Sequence, residues 1–177
     1  MVTTPEQEAR TEIDRLLAAA GWAVQDFKSA DIHAARGVAL REFQLKEGYG
    51  EADYLLYVDA KAAGVIEAKK AGATLTGVEP QSGRYSKGLP ESLPAWQRPL
   101  PFLYESTGLE THFTNGLDPD PRARTIFAFH RPETLGEWMH YAIPSAGEAP
   151  GSFLARVNFM PPLEEAGLWP AQIVQNL

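Results

Sequence analysis

Asp53, Glu67 and Lys69 stand in an order that can hydrolyse a phosphodiester. Asp53 lies in Gly50-Glu51-Ala52-Asp53-Tyr54, and Glu67-Ala68-Lys69 begins fourteen residues after it, at the end of the apolar run Gly64-Val65-Ile66. On a strand successive side chains alternate faces, so Glu67 and Lys69 project to one side and Ala68 to the other. A hairpin partner brings the Asp53 carboxylate beside Glu67. Two carboxylates with open positions suit Mg²⁺, a hard octahedral ion that keeps waters and takes one or two acidic ligands plus substrate phosphate. A lysine next to them would orient the attacking water or stabilise the charge that develops on phosphorus.

Spacing alone does not make a site. A bare Glu-x-Lys or Asp-x-Lys arises about once in a chain of this size, because these residues are common. The chain holds two more, Asp26-Phe27-Lys28 and Asp59-Ala60-Lys61. The first has no preceding acid on a partner strand and the second falls in a turn, so neither has the setting. For Glu67 and Lys69 the alternative is a charged strand end with solvated salt bridges. Gln81 and Tyr85 follow, four residues apart and hence on one helix face, from which they could reach the same place. On their own they also fit an amphipathic helix with a packed Tyr and a solvated Gln.

The elements that must position these residues are legible in outline. Thr4-Pro5-Glu6-Gln7 has the form of a helix start, with Thr4 as N-cap, Pro5 at the first helical position and Gln7 completing a capping box. Ala9, Ile13, Leu16, Leu17 and Ala20 form one apolar face, stopped by Gly21. Residues 38–45 alternate as a strand, with a phase shift between Leu40 and Phe43 that predicts a bulge or bend. Residues 53–58 and 64–68 predict a hairpin, joined by a short turn around Asp59 to Ala63. A helix over 78–87 follows, then a loop marked by Pro90, Pro94, Pro99 and Pro101. Strands are expected at 102–106, 110–114 and 125–129, with turn chemistry at Asn115 to Pro121, and a second amphipathic helix at 132–141. The fold class these elements predict is α/β, a mixed, bent sheet flanked by helices.

Taken together, Asp53, Glu67-Ala68-Lys69 and Gln81-x-x-x-Tyr85 resemble the PD-(D/E)xK nuclease superfamily, in its branch with a Gln-x-x-x-Tyr motif. Ala52 stands where the name-giving proline would be, at a position that is not a metal ligand. The flanking segments Gly50 to Asp59, Gly64 to Lys70, Phe113-Thr114-Asn115-Gly116 and Phe129 to Leu135 narrow the likeness. They resemble the N-terminal nuclease domain of type I restriction enzyme R subunits, and the likeness runs from Gly21-Trp22 to Trp169-Pro170-Ala171-Gln172. That resemblance implies a restriction-endonuclease-like core over 1–145, with 146–177 as a linker and the start of a following helicase-type motor. It implies Mg²⁺-dependent cutting of unmodified double-stranded DNA, with Asp53 and Glu67 as metal ligands, Lys69 as the catalytic lysine, and Gln81 and Tyr85 as an accessory pair. It implies modification and specificity subunits as partners, and ATP used only through the motor domain of the longer chain. Two rivals stand beside it: a catalytically silent docking or coupling module, and a stand-alone DNA nuclease.

Other features bound the reading. Glu6 and Glu12 on the first helix are candidates for a further acid, against the simpler roles of a first-turn Glu or a solvated one. Lys70, Arg84 and Lys87 flank the site, and His33, His112, His130 and His140 lack ligand spacing. No phosphate-binding Gly-x-x-x-x-Gly-Lys sequence occurs, so the ATPase is not in this chain. A net charge of -7 over 177 residues argues against a general nucleic-acid coat protein, since such proteins neutralise phosphates with Lys and Arg. The chain has no cysteine, no basic and apolar leader pattern, and no apolar run near the ~20 residues of a membrane span. A cytoplasmic protein without membrane contact is the expectation.

Overall fold

In the computed structural model, which describes residues 4–75 and 79–142, Thr4 opens the first helix as its sequence predicts. Thr4 Oγ1 accepts from the Gln7 backbone N–H at 3.3 Å, and Gln7 Oε1 accepts from the Thr4 N–H at 3.0 Å. Helix α1 runs Pro5–Ala19 and buries Ala9, Ile13 and Leu17. Gly21, at φ 91, turns the chain out of it.

Seven strands then form one sheet in sequence order: β1 (Ala23–Asp26), β2 (Gly37–Gln44), β3 (Glu51–Val58), β4 (Lys61–Ala68), β5 (Phe102–Ser106), β6 (Thr111–Asn115) and β7 (Arg124–Ile126). The β1–β2 and β4–β5 pairs are parallel and the others antiparallel. Helix α2 (Glu79–Lys87) lies in the crossover between β4 and β5, the kind of connection that parallel neighbours need. Helix α3 (Pro132–Ala142) closes the described chain.

The sheet has two apolar faces, so its central strands read as nearly continuous apolar runs. One face packs Tyr54, Leu56, Ile66 and Tyr104 with Ile13 and Leu17 of α1 and Leu135 and Met139 of α3. The other packs Leu55, Tyr57 and Val65 with Tyr85 of α2 and Leu89. This is a mixed α/β fold with a mixed sheet and helices on both faces, as expected from the sequence.

Several boundaries move. Strand β4 begins at Lys61 rather than Gly64, because the hairpin turns on two residues alone, Asp59 and Ala60, at φ 49 and 60. Two-residue hairpin loops of this hand need positive φ at both positions, and their twist matches the strands. The proline loop is not detached: Ala62 N–H donates to Pro94 O at 2.9 Å and Trp96 N–H to Ala62 O at 3.0 Å, which pins it beside β4. Strand β7 stops at Ile126 instead of reaching 129, and Phe127 is exposed. Strand β1 and the 3-10 turn Phe27–Ser29 after it were not anticipated, since four residues carry too little alternation to read. Residue 78 of the expected second helix, the linker and motor start at 146–177 and the Trp169-Pro170 segment lie outside the described residues.

Candidate active site

The expected phase shift in β2 falls at Glu42, a non-glycine residue at φ 53. Arg41 pairs with Tyr54 and Phe43 with Ala52, and between them Glu42 and Asp53 form no ladder pair. Freed from regular pairing, both carboxylates meet the same cation on α1. Arg10 Nη2 donates to Asp53 Oδ1 at 2.5 Å and Nη1 to Glu42 Oε1 at 2.9 Å. Tyr54 anchors that part of α1, its hydroxyl 2.8 Å from Asp14 Oδ1 and 3.2 Å from Arg10 O. Asp14 is also held by the Arg41 guanidinium. The helix is thus registered on the sheet beside Asp53.

Across the hairpin, the Ala68 backbone N–H donates to Asp53 Oδ2 at 2.8 Å. That bond ties the two strand ends together, and Asp53 comes to rest beside Glu67 and Lys69. Lys69 Nζ donates to Glu67 Oε1 at 2.6 Å and to Gln81 Oε1 at 3.0 Å. Gln81 Nε2 in turn donates to the Tyr85 hydroxyl at 2.8 Å. Because an ammonium can only donate, Gln81 must show it the carbonyl oxygen, and Tyr85 holds the amide that way round. Asp53, Glu67, Lys69, Gln81 and Tyr85 therefore form one connected cluster.

Glu67 is 4% exposed and its second oxygen, Oε2, is buried with no hydrogen-bond partner among the described residues. Its carboxyl is pushed up to about 7, first by burial and further by the charge of Asp53, with Lys69 pulling the other way. On β5, Glu105 is the register partner of Glu67 and is itself buried, accepting a hydrogen bond from Ser82 Oγ of α2.

The cluster opens into a cleft of about 620 Å³ lined by Glu6, Arg10, Asp53, Glu67, Lys69 and Tyr85 among others. Of the two candidate acids on α1, Glu6 lines this cleft. Glu12 does not; it pairs with Arg15 one turn away at 2.5 Å. Lys70 lies at the cleft, whereas Arg84 donates to Gly48 O at 2.8 Å and Lys87 lines a separate groove beyond α2. His130 bonds the Tyr104 hydroxyl at 2.9 Å and His112 bonds Glu110 at 2.8 Å, away from the cleft. Trp22 is buried and Trp96 and Trp138 pack against the core.

Chemically, the donor set suits a hard divalent cation: two carboxylates from neighbouring strands and an orphaned carboxylate oxygen that lacks a donor. Among the described residues, no group of three or more acids and histidines has metal-holding geometry. Two carboxylates are within the one or two acidic ligands that an ion such as Mg²⁺ commonly takes.

Sequence reasoning missed Arg10, Ser82 and Glu105. Arg10 had a signal: Glu6, Arg10 and Asp14 recur every four residues, a polar stripe on one helix face. For Glu105 there was none, because its place beside Glu67 depends on which strand pairs with β4.

Residues 28–114, which include the whole cluster except the α1 contribution, match the family model of the type I restriction enzyme EcoKI endonuclease subunit second domain. A solved structure described as a fragment of an HsdR subunit of a type I restriction enzyme from Vibrio vulnificus YJ016 is similar, with a TM-score of 0.53 and 18% identity. The match covers 77% of this chain and 25% of that one, so this chain spans a quarter of its length. At that identity the likeness establishes the fold. No curated protein matches.

Proposed function

We propose, for a chain whose residues 28–114 match the family model of the type I restriction enzyme EcoKI endonuclease subunit second domain, that its cleft cuts double-stranded DNA. The observation that carries this reading is the meeting of Asp53, Glu67 and Lys69 from two strands at one cleft, with Lys69 fixed by Gln81. Such a constellation suits hydrolysis of a phosphodiester, and the match to a restriction-enzyme endonuclease subunit supports DNA as the substrate class. The wider assignment completes it: a PD-(D/E)xK nuclease domain acting in the cytoplasm, within a complex of modification and specificity subunits. ATP would be used by a motor domain of the longer chain.

In this mechanism Asp53 and Glu67 would hold Mg²⁺, with Glu6 a further acid lining the same cleft. When bound, the ion would polarise the scissile phosphate and neutralise charge that builds on its oxygens. The rest of the work falls to the chain's own residues. The Ala68 N–H holds Asp53 in place, so its carboxylate faces Glu67 without a search for the rotamer. Lys69 keeps an ammonium at the reacting phosphate, where it orients the attacking water and offsets charge as the bond to the leaving 3′ oxygen breaks. Gln81 limits that ammonium to one position, and Tyr85 limits Gln81. The acidic net charge of -7 favours delivery of DNA by other parts of the complex.

The test is Lys69→Ala in the complete restriction complex with ATP and Mg²⁺. DNA cleavage is expected to fall by roughly a hundredfold or more while ATP hydrolysis continues. Cleavage at the parent rate would remove the catalytic reading and favour a silent coupling module.

A further inference from the structure

Arg10 stands in the cleft as a cation that the catalytic scheme does not use. Its guanidinium spans Asp53 Oδ1 at 2.5 Å and Glu42 Oε1 at 2.9 Å. Asp53 Oδ2 already takes the Ala68 N–H. Both Asp53 oxygens are therefore engaged, and the one not held by backbone is covered by positive charge. Glu67 is neutralised by Lys69 in the same way, so each of the two acids meets a different cation from a different element.

A divalent ion on Asp53 cannot share that oxygen with a guanidinium without strong repulsion, since like charges a few ångströms apart at the edge of a protein are only partly screened by water. One of the two must leave. Arg10 is free to do so: its side chain is 39% exposed and its second carboxylate partner, Glu42, is 62% exposed. Glu42 is also the residue held at φ 53, a backbone position that costs free energy and persists only where surrounding contacts enforce it.

Resting on the metal reading above, we infer that Arg10 is a displaceable counter-ion of Asp53. Divalent-ion binding expels it, Glu42 retains it at the cleft rim, and its vacated edge pairs with a phosphate of the duplex. A guanidinium suits that exchange, because its planar fork matches a carboxylate or a phosphate equally well. The device would keep the two acids compact before loading and add a phosphate contact after it.

The experiment uses the 177-residue chain. Mn²⁺ is titrated by calorimetry into the parent, Arg10→Gln, Arg10→Lys and Asp53→Asn, without DNA. Arg10→Gln is expected to bind Mn²⁺ roughly fivefold more tightly than the parent, the scale of losing one competing ion pair. Arg10→Lys, which keeps the charge but spans one carboxylate only, should fall between them and serves if the Gln variant does not fold. A short duplex is then titrated in Ca²⁺ by fluorescence anisotropy. Arg10→Gln should bind it roughly fivefold more weakly, with a salt slope shallower by about one. Both Arg10 variants binding Mn²⁺ no more tightly than the parent would overturn the counter-ion role. Tighter Mn²⁺ with unchanged duplex binding would overturn the phosphate contact. Absence of any Mn²⁺ binding that Asp53→Asn removes would instead overturn the metal reading on which both rest.

Discussion

Glu67, near the end of β4, and Lys69, just beyond it, meet at 2.6 Å through Glu67 Oε1, while Glu67 Oε2 is buried with no hydrogen-bond partner among the described residues. One carboxylate oxygen is thereby satisfied, and the other has no donor among the described residues. The arrangement has a thermodynamic consequence, because burial favours the protonated acid and raises Glu67 to about 7.

Glu67→Gln should therefore stabilise the domain when divalent ions are chelated. In the unfolded chain a Glu ionises near pH ~4.3, so the parent loses stability from this group as pH rises from there through about 7. Glutamine has no proton to lose. At pH 8 the variant should be more stable by about 1–2 kcal/mol, a figure discounted because Lys69, 30% exposed, offsets part of the charge. Near pH 4 the two should coincide. Urea titrations at both pH values in chelator measure it, and equal stability at pH 8 would count against a buried, strained acid.

His130 should give a slope of the opposite sign. Burial lowers its imidazolium to about 4 from an ordinary value of 6.5. The folded state thus binds this proton less readily than the unfolded state. Its contribution is complete above pH 6.5 and is lost as pH falls toward 4, on the order of 2–3 kcal/mol in all. The two slopes partly cancel in the parent between pH 4.5 and 6.5, so the measurement belongs in the Glu67→Gln background. There, urea midpoints should drop on acidification, and His130→Gln should flatten the drop.

Tyr85→Phe should reduce cleavage by roughly tenfold with the fold intact. Tyr85 is 9% exposed, and its ring packs on the α2 face of the sheet, which phenylalanine preserves. Only the hydroxyl that accepts from Gln81 Nε2 is lost. Gln81 then rotates, and Lys69 loses its fixed position rather than its charge. Gln81→Ala should cost more than Tyr85→Phe. Single-turnover cleavage rates for both, beside thermal melts, decide it; a Tyr85→Phe rate equal to the parent rate would remove Tyr85 from the positioning chain.

Gly64→Ala should damage the site from a distance. A Cβ at Gly64 would collide with the Phe102 carbonyl of the neighbouring strand. Relief requires β4 and β5 to separate, and the same pair carries Glu67 beside Glu105. A loss of about 2–3 kcal/mol is expected from overpacking. Amide exchange along residues 62–68 should accelerate more than exchange in α3, which lies outside this strand pair.

Ala60→Gly should act in the other direction. Ala60 holds φ 60 in the two-residue turn between β3 and β4, a conformation that costs an alanine about 1 kcal/mol and a glycine nearly nothing. The unfolded chain gains entropy with glycine, which offsets part of this. A net gain of about 0.5 kcal/mol in urea unfolding is expected.

Much of the positioning was open to reading because it depends on local rules. The capping box at Thr4 and Gln7 is a contact between residues three apart, and the phase shift at Glu42 is visible as two apolar residues out of step. Asp53 and Glu67 follow from strand alternation and one hairpin. Lys69, Gln81 and Tyr85 needed only one further element, a helix with a four-residue repeat. Where local signals were weak, boundaries slipped: β1 is four residues long, and the start of β4 turned on two residues whose positive φ no glycine or asparagine pair announced.

The sequence by itself determined the chemical inventory and the hairpin that gathers it, because side-chain alternation and turn length are properties of contiguous residues. It could not determine what surrounds that inventory. Arg10 covers Asp53 because α1 is docked on β3 through Tyr54 and Asp14, and Glu105 lies beside Glu67 because β5 pairs in parallel with β4. Both are contacts between residues more than thirty positions apart, and Glu67 is buried in the packed structure. Only the packed structure sets that desolvation, and desolvation is what separates a pair of ordinary acids from a carboxylate held near neutral pH with one oxygen unclaimed.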